Sequence, residues 1–354
     1  MSWVRVVSFL IAFLLVQGAN AATPETKKRV RATIKPASAG VVVRGAPGDK
    51  SALAVGQSKK NGSVASARNV RPALAAKDVK YATKASPRAR RVTVFEDEDP
   101  ENLSVRSAAA LVIDLEQGQS VYEKNPGSVM PIASITKLMT AMVVLDAELP
   151  LDEPIAITED DLDAMKGTRS RLPVGAVLTR RELLRLALMA SENSAAAALG
   201  RSYPGGTSTF VLAMNRKARA IGTRNTYYVE PTGLSSSNVS TARDLGQIVR
   251  TSYRYQLIRE FSTTESYEVE IAEGRERLFH NTNGLVRSGE WDIGLQKTGY
   301  ISEAGRCLVM QATIAAKPYI IVLLDAVGRY TRIADANRIK RWIEVRYAPR
   351  RRIT

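Results

Sequence analysis

Residues 294–327 read GLQKTGYISEAGRCLVMQATIAAKPYIIVLLDAV, and their patterning decides the fold. Leu295 to Tyr300, Arg306 to Thr313 and Tyr319 to Val327 are short runs with strand character, and Ala316-Lys317-Pro318 turns between the last two. Working outward, Ser107 to Asp114 (SAAALVID) reads as a buried strand, Gln117-Gly118 as a turn and Ser120 to Tyr122 as the returning strand. The middle is helical. A helix follows Pro131 to Ser134 with Leu138, Met142 and Leu145 on one stripe, then come Thr179 to Ala190, Gly206 to Ile221 stopped by Gly222, and Ser240 to Tyr253. A last amphipathic helix runs from about Ile333 to Val345 with Trp342 and Ile343 inward. Strands at both ends and helices between them predict an α+β domain: an antiparallel sheet built from both chain ends, flanked by helices, with an inserted helical lobe.

Composition narrows the chemistry. The 354 residues include one Cys (Cys307) and one His (His280), which excludes an intramolecular disulfide framework, Cys-rich metal centres and two-histidine metal sites. A hydrolase here uses His280 or a base that is not histidine. Neither residue is required for chemistry, since His280 reads as a packed loop residue and Cys307 as a small buried hydrophobe.

The formal charge of +16 is unevenly spread. Residues 22–91 hold 17 Lys or Arg against Glu25, Asp49 and Asp78, so nearly all of the excess lies there. That stretch has one aromatic, Tyr81, and no sustained period, so it reads as a disordered basic tail, bounded here as residues 22–95. Arg5, the apolar run Val6 to Val16 and small residues up to Ala21 predict a secretory signal, residues 1–21, cleaved between Ala21 and Ala22, and hence a periplasmic location. Export argues against nucleic acid as partner of the tail and favours an anionic membrane or cell-wall surface contacted through residues 22–91, with a plain solvated spacer as the alternative. The folded domain is expected over residues 96–348, followed by a basic end, 349–354.

Three short motifs then stand in order: Ser134-Ile135-Thr136-Lys137, Ser191-Glu192-Asn193 and Lys297-Thr298-Gly299. Each is weak alone, and Ser236-Ser237-Asn238 also fits the second pattern, but it precedes a helix and reads as a cap. Order and context carry the signal. Ser134 and Lys137 lie three apart at a helix start and share a face, so the amine reaches the hydroxyl. A serine there also faces unpaired backbone N–H groups. To act as base the lysine must be neutral, and lowering its pKa from about 10.4 to about 7 requires roughly 4.6 kcal/mol of destabilisation of the ammonium. Burial and a second cation, Lys297, are the expected sources. Ser191 and Asn193 are suited to proton relay and to holding Lys137.

This motif set, with SITKLMTAMVVLDA from Ser134, PTGL from Pro231, STARDL from Ser240 and GLQKTGYISEAGRCLVMQA from Gly294, resembles the low-molecular-mass penicillin-binding proteins that act as D-alanyl-D-alanine peptidases, most closely their periplasmic endopeptidases. The resemblance spans roughly residues 100–345 and implies a β-lactamase/DD-peptidase-like fold. It implies attack by Ser134 on a D-alanine carbonyl of peptidoglycan stem peptides and cross-links, Lys137 as base, and an oxyanion hole from the backbone N–H groups of Ser134 and Tyr300. Lys297, Thr298, Gly299 and Tyr300 would bind substrate, Ser191 and Asn193 would complete the catalytic set, β-lactam antibiotics would acylate Ser134, and neither cofactor nor metal is implied. Within the class a carboxypeptidase is the alternative; a β-lactamase using Glu230 is a weaker one, because Thr232-Gly233-Leu234 fits the peptidases better. A non-catalytic penicillin-binding scaffold whose tail binds polyanions is the rival of another class. Arg306 reads as a surface residue rather than a carboxylate ligand.

Overall fold

A computed structural model describes residues 102–162 and 170–347. The expected signal (1–21), basic tail (22–95) and basic end (349–354) lie outside the described residues. The strands are β1 (Ala109–Asp114), β2 (Gln119–Lys124), β3 (Met130–Pro131), β4 (Pro154–Ala156), β5 (Val177–Thr179), β6 (Val239–Ser240), β7 (Ser266–Ala272), β8 (Arg275–His280), β9 (Asp292–Ile301), β10 (Gly305–Ile314) and β11 (Lys317–Ala326). The helices are α1 (Lys137–Asp146), α2 (Arg180–Arg185), α3 (Asn193–Arg201), α4 (Gly206–Ala220), α5 (Ala242–Ser252), α6 (Gln256–Thr263), α7 (Gly284–Arg287) and α8 (Thr331–Tyr347).

The principal sheet is antiparallel throughout, in the order β2-β1-β11-β10-β9. The two chain ends meet at β1 and β11, where Val112 pairs with Ile321. Both faces are covered. Leu111, Val309, Ile320, Val322 and Leu324 pack into the core shared with the helical lobe, whereas Val112, Leu308, Met310, Ile321 and Leu323 pack under α8 with Ile339 and Ile343. Two-sided burial is why these strands read as nearly continuous apolar runs. The expected α+β architecture is the one observed.

Local boundaries depart from the sequence reading for identifiable reasons. The β10–β11 turn is made by Ala315 and Ala316 at φ 50° and 62°, so Lys317 and Pro318 already belong to β11. Ser134 sits in a 3-10 turn, Ala133–Thr136, ahead of α1, and every residue from Lys137 to Val144 is buried, so α1 has a core on all sides rather than one stripe. The helix expected over Thr179–Ala190 starts with Thr179 as cap, its hydroxyl accepting from Glu182 N–H, and then widens into a π turn at Leu186–Ala190. Val239–Ser240 is a short strand, and Thr241 caps α5. Asn238 is structural, but as a loop staple and not a helix cap: its side chain accepts from Val229 N–H and donates to Thr136 Oγ1 and to Glu230. Helices α3 and α6 and the β7–β8 hairpin are additions to the expected elements. α3 has four consecutive alanines among its nine residues and only one large apolar side chain, Leu199, and α6 has eight residues and no capping side chain.

Buried Asp335 ties α8 to the first residues of the domain. Its carboxylate accepts from Arg106 N–H (2.9 Å), Ser107 N–H (2.8 Å), Ser107 Oγ (2.7 Å) and Arg338 Nη1 (2.6 Å). Asp335→Ala is therefore expected to destabilise the domain by roughly 3–5 kcal/mol, measured as a fall in melting temperature on the order of 10 °C, without changing the active-site residues.

Candidate active site

The three motifs converge at one end of the cleft. Lys137, fully buried, donates from Nζ to Ser134 Oγ (2.9 Å), Asn193 Oδ1 (2.8 Å) and the Thr232 carbonyl (2.6 Å). The second and third acceptors have no proton to give. When the amine is neutral, its two N–H bonds satisfy them and its lone pair is left for the Ser134 hydroxyl. That is the geometry a serine needs in order to lose its proton to a lysine.

Burial supplies most of the required lowering. Desolvation brings Lys137 down to about 8 despite the opposing fields of Glu230 and Glu192. The expected contribution from Lys297 is not what lowers it. Repulsion is instead visible at Lys297, which burial first, then Lys137 and Arg332, push well below the ordinary lysine value. Lys297 donates to Ser191 Oγ (2.8 Å) and to the Thr298 carbonyl (3.0 Å). Ser191 occupies the left-handed region (φ 60°) just after the π turn, which turns its hydroxyl toward Lys297 while Asn193 begins α3 facing Lys137. The sequence motif was legible; the π turn that makes its two polar ends point at two different lysines was not.

Backbone contacts position the nucleophile. Gly233, at φ +84°, leaves no room for a side chain: a Cβ there would lie 2.0 Å from the Ala133 carbonyl oxygen and 2.8 Å from Ser134 N. Gly299 on β9 is also close, with a Cβ position 2.9 Å from the Ile132 carbonyl oxygen and 3.2 Å from Ser134 N. Two glycines from distant segments thus let a loop and a strand close on the Ser134 peptide. Ala133 itself is held at φ 47°, a strained backbone for a residue with a Cβ, immediately before the nucleophile. The loop bearing Gly233 is pinned by Glu230, whose carboxylate accepts from Gly233 N–H (2.6 Å), Thr232 Oγ1 (2.6 Å) and Asn238 Nδ2 (2.9 Å). Glu230 is thereby committed to the loop and is not placed to activate water.

The cleft beside Ser134 has a volume of about 410 Å³ and is lined by Ser191, Asn193, Thr298, Gly299, Tyr300 and Arg332, among others. All eight sequence-predicted residues gather here: six line it, Ser134 included, and the lysines lie beneath. Thr298 Oγ1 is 2.6 Å from Thr282 Oγ1, which anchors the loop after β8 to the KTG strand. Arg332, at the start of α8, was missed. It donates to the carbonyls of Gly299 (3.0 Å) and Cys307 (3.3 Å), and its buried Nε has no partner among the described residues. Nothing near it in sequence marks it, because it comes from a helix on the other side of the sheet. Arg306, the candidate weighed from sequence, stacks over the Tyr300 ring at 4.4 Å. His280 ends β8 exposed, away from the cleft lining, and Cys307 is buried, its thiol pushed up to about 11 by burial. Among the described residues, no group of three or more His, Cys, Asp or Glu side chains is arranged to hold a metal ion.

The family model described as Peptidase S11, D-alanyl-D-alanine carboxypeptidase, matches residues 94–328. The chain is 52% identical over 246 residues to the D-alanyl-D-alanine endopeptidase of Pseudomonas aeruginosa, covering 69% of this chain and 79% of that one. It is 48% identical to the D-alanyl-D-alanine endopeptidase of Escherichia coli K12, covering 68% and 78%. The fold is similar to the Streptomyces K15 DD-transpeptidase (TM-score 0.63, 29% identity, 68% of this chain and 97% of that one) and to penicillin-binding protein D2 of Listeria monocytogenes in its cefotaxime-bound form (TM-score 0.60, 28% identity, 68% and 98%).

Gly233→Ala tests the positioning argument. Displacement of the Ser134 peptide by about an ångström is expected to slow acylation by a fluorescent penicillin on the order of 10²-fold. Unchanged circular dichroism would show that the fold survives.

Proposed function

We propose, from the premise that the chain belongs to the Peptidase S11 family of D-alanyl-D-alanine carboxypeptidases, that this serine peptidase acts as an endopeptidase on D-alanine-containing cross-links of peptidoglycan. The observation that carries the acyl-transfer chemistry is the Lys137 amine, held by two pure acceptors with its third direction on Ser134 Oγ. Ser134 attacks the D-alanine carbonyl as Lys137 takes the hydroxyl proton. The carbonyl oxygen, now negative, is received by the N–H groups of Ser134 and Tyr300. Collapse expels the amine of the neighbouring peptide, protonated through Lys137 and Ser191, and water then releases the acyl group from Ser134. Thr298 and Arg332, which both line the cleft, receive the substrate carboxylate. A β-lactam takes the same path to a stable acyl-enzyme.

A cross-link joins two peptides, and a further cavity of about 590 Å³ shares Asn193 and Leu234 with the first and continues past Pro231 and Ala197, giving room for a branched substrate. We further propose that the expected signal delivers the chain to the periplasm and that residues 22–91 hold it near an anionic membrane or wall surface. Among the described residues, no helix is long and apolar enough to cross a membrane.

Two measurements test this reading. Incubation with cross-linked and uncross-linked muropeptides is expected to convert dimers to monomers without release of terminal D-alanine, and Ser134→Ala is expected to abolish the conversion; release of D-alanine as the main product would make the enzyme a carboxypeptidase. The second is pH. The reactive form has neutral Lys137, so kcat/KM should rise roughly tenfold per pH unit below the lysine pKa and flatten above about 8. A profile that falls as pH rises from 6 to 8 would remove Lys137 as base.

A further inference from the structure

The STARDL segment, Ser240 to Leu245, contributes nothing to the cleft just described. It forms part of a separate cavity of about 550 Å³ near the other edge of the sheet, reached by Ile113 of β1, where the end of α4 meets the start of α5. Arg224, Arg243 and Arg250 line this cavity, the last two on one face of α5 seven residues apart. Among the described residues, Arg224 and Arg250 have no side-chain partner. Arg243 reaches only Glu123, at 3.2 Å, across a largely exposed pair that contributes little.

The cavity is also built rather than incidental. Asp244, at 8% exposure, accepts from Asn225 N–H (2.7 Å), Thr226 Oγ1 (2.9 Å) and Arg224 N–H (3.1 Å), and its own N–H is capped by Thr241 Oγ1 (3.1 Å). These bonds fix the turn that carries Arg224 against the helix that carries Arg243 and Arg250. Unpaired guanidiniums facing one concavity are suited to an oxyanion, which they take through paired N–H donors. Three guanidiniums against Asp244 and Glu123 leave a single positive charge, which matches a singly charged oxyanion such as a carboxylate.

We propose that this cavity is an accessory carboxylate site, remote from Ser134, that holds stem-peptide carboxylates of the wall polymer while another part of the same polymer occupies the cleft. The choice of polymer rests on the function proposed above; the carboxylate chemistry rests on the cavity alone.

The test is arginine footprinting of the full chain. Phenylglyoxal modifies accessible guanidiniums, and peptide mass spectrometry reads each arginine separately, so a contribution from the basic N-terminal segment does not enter. The probe is a disaccharide-tripeptide muropeptide, which has no D-alanyl-D-alanine bond to cut. It is expected to slow modification of Arg224, Arg243 and Arg250 at least threefold and to leave Arg275, on the β7–β8 hairpin, unchanged. The same muropeptide with its carboxylates amidated should give no protection. In Arg224→Gln/Arg250→Gln, protection of the remaining Arg243 should disappear while penicillin acylation of Ser134 proceeds at the wild-type rate. Absence of protection, equal protection by the amidated probe, or equal protection by inorganic phosphate at the same concentration would overturn the carboxylate assignment. Protection in an enzyme that leaves cross-links uncut would remove the endopeptidase reading and leave the site standing.

Discussion

An ammonium group buried without a counter-ion is the constraint on which the rest of this structure turns. Lys137 has no salt-bridge carboxylate among the described residues, only a hydroxyl, an amide oxygen and a peptide carbonyl. Its depression to about 8 corresponds to roughly 3 kcal/mol held against the charged form. Such a group persists only where surrounding elements over-determine its position. Here the 3-10 turn supplies Ser134, α3 supplies Asn193 and the loop after Glu230 supplies the Thr232 carbonyl, while helix α1, buried from Lys137 to Val144, carries the lysine itself. A second lysine next to it multiplies the demand: Lys297 is buried too and answers to Ser191. Each part of the helical lobe that touches the cleft can be read as one wall of this two-lysine enclosure.

Bringing those walls together requires the backbone to approach itself more closely than side chains allow. Gly233 and Gly299, from a loop and a strand, make that possible at the Ala133–Ser134 peptide. The Glu230 carboxylate then holds the Gly233 loop in place with donors from its own turn, and its field opposes the lowering of Lys137 only in part. A negative group close to Lys137 thus serves as a clamp, and desolvation remains the larger influence.

How much of this could be read from the chain differs by kind of information. The sheet was legible because β10 and β11 are buried on both faces, which forces long apolar runs. The meeting of Ser134, both lysines and the Ser-x-Asn motif was legible because they lie in short local patterns at fixed spacing. What escaped is what depends on distant partners. The β7 strand alternates Tyr267, Val269 and Ile271 inward with glutamates outward, a period-two signal that was present but short. The π turn before Ser191 has no compositional signature in LALMA. Arg332 is undetectable by spacing, since what brings it to the cleft is the packing of α8 beneath the sheet. Even the source of the Lys137 shift was only half legible: burial followed from the apolar surroundings of the motif, whereas the weight of Lys297 depended on geometry.

Helix α8 shows how elements far from the chemistry come to control it. Ile339 and Ile343 fix its rotation against the sheet, so the residues three apart near its start, Arg332 and Asp335, face the same direction. Asp335 takes the backbone of Arg106 and Ser107 at the beginning of the domain, and Arg332 takes the Gly299 carbonyl on the edge strand that lines the cleft. The last helix thereby joins the first residues of the domain to the strand whose glycine contacts the nucleophile. Because β9 is an edge strand, hydrogen-bonded in the sheet only to β10, it would otherwise be the element most able to shift. The arginine that holds it also lines the cleft, so the position of the KTG strand and the positive charge presented there depend on the same side chain.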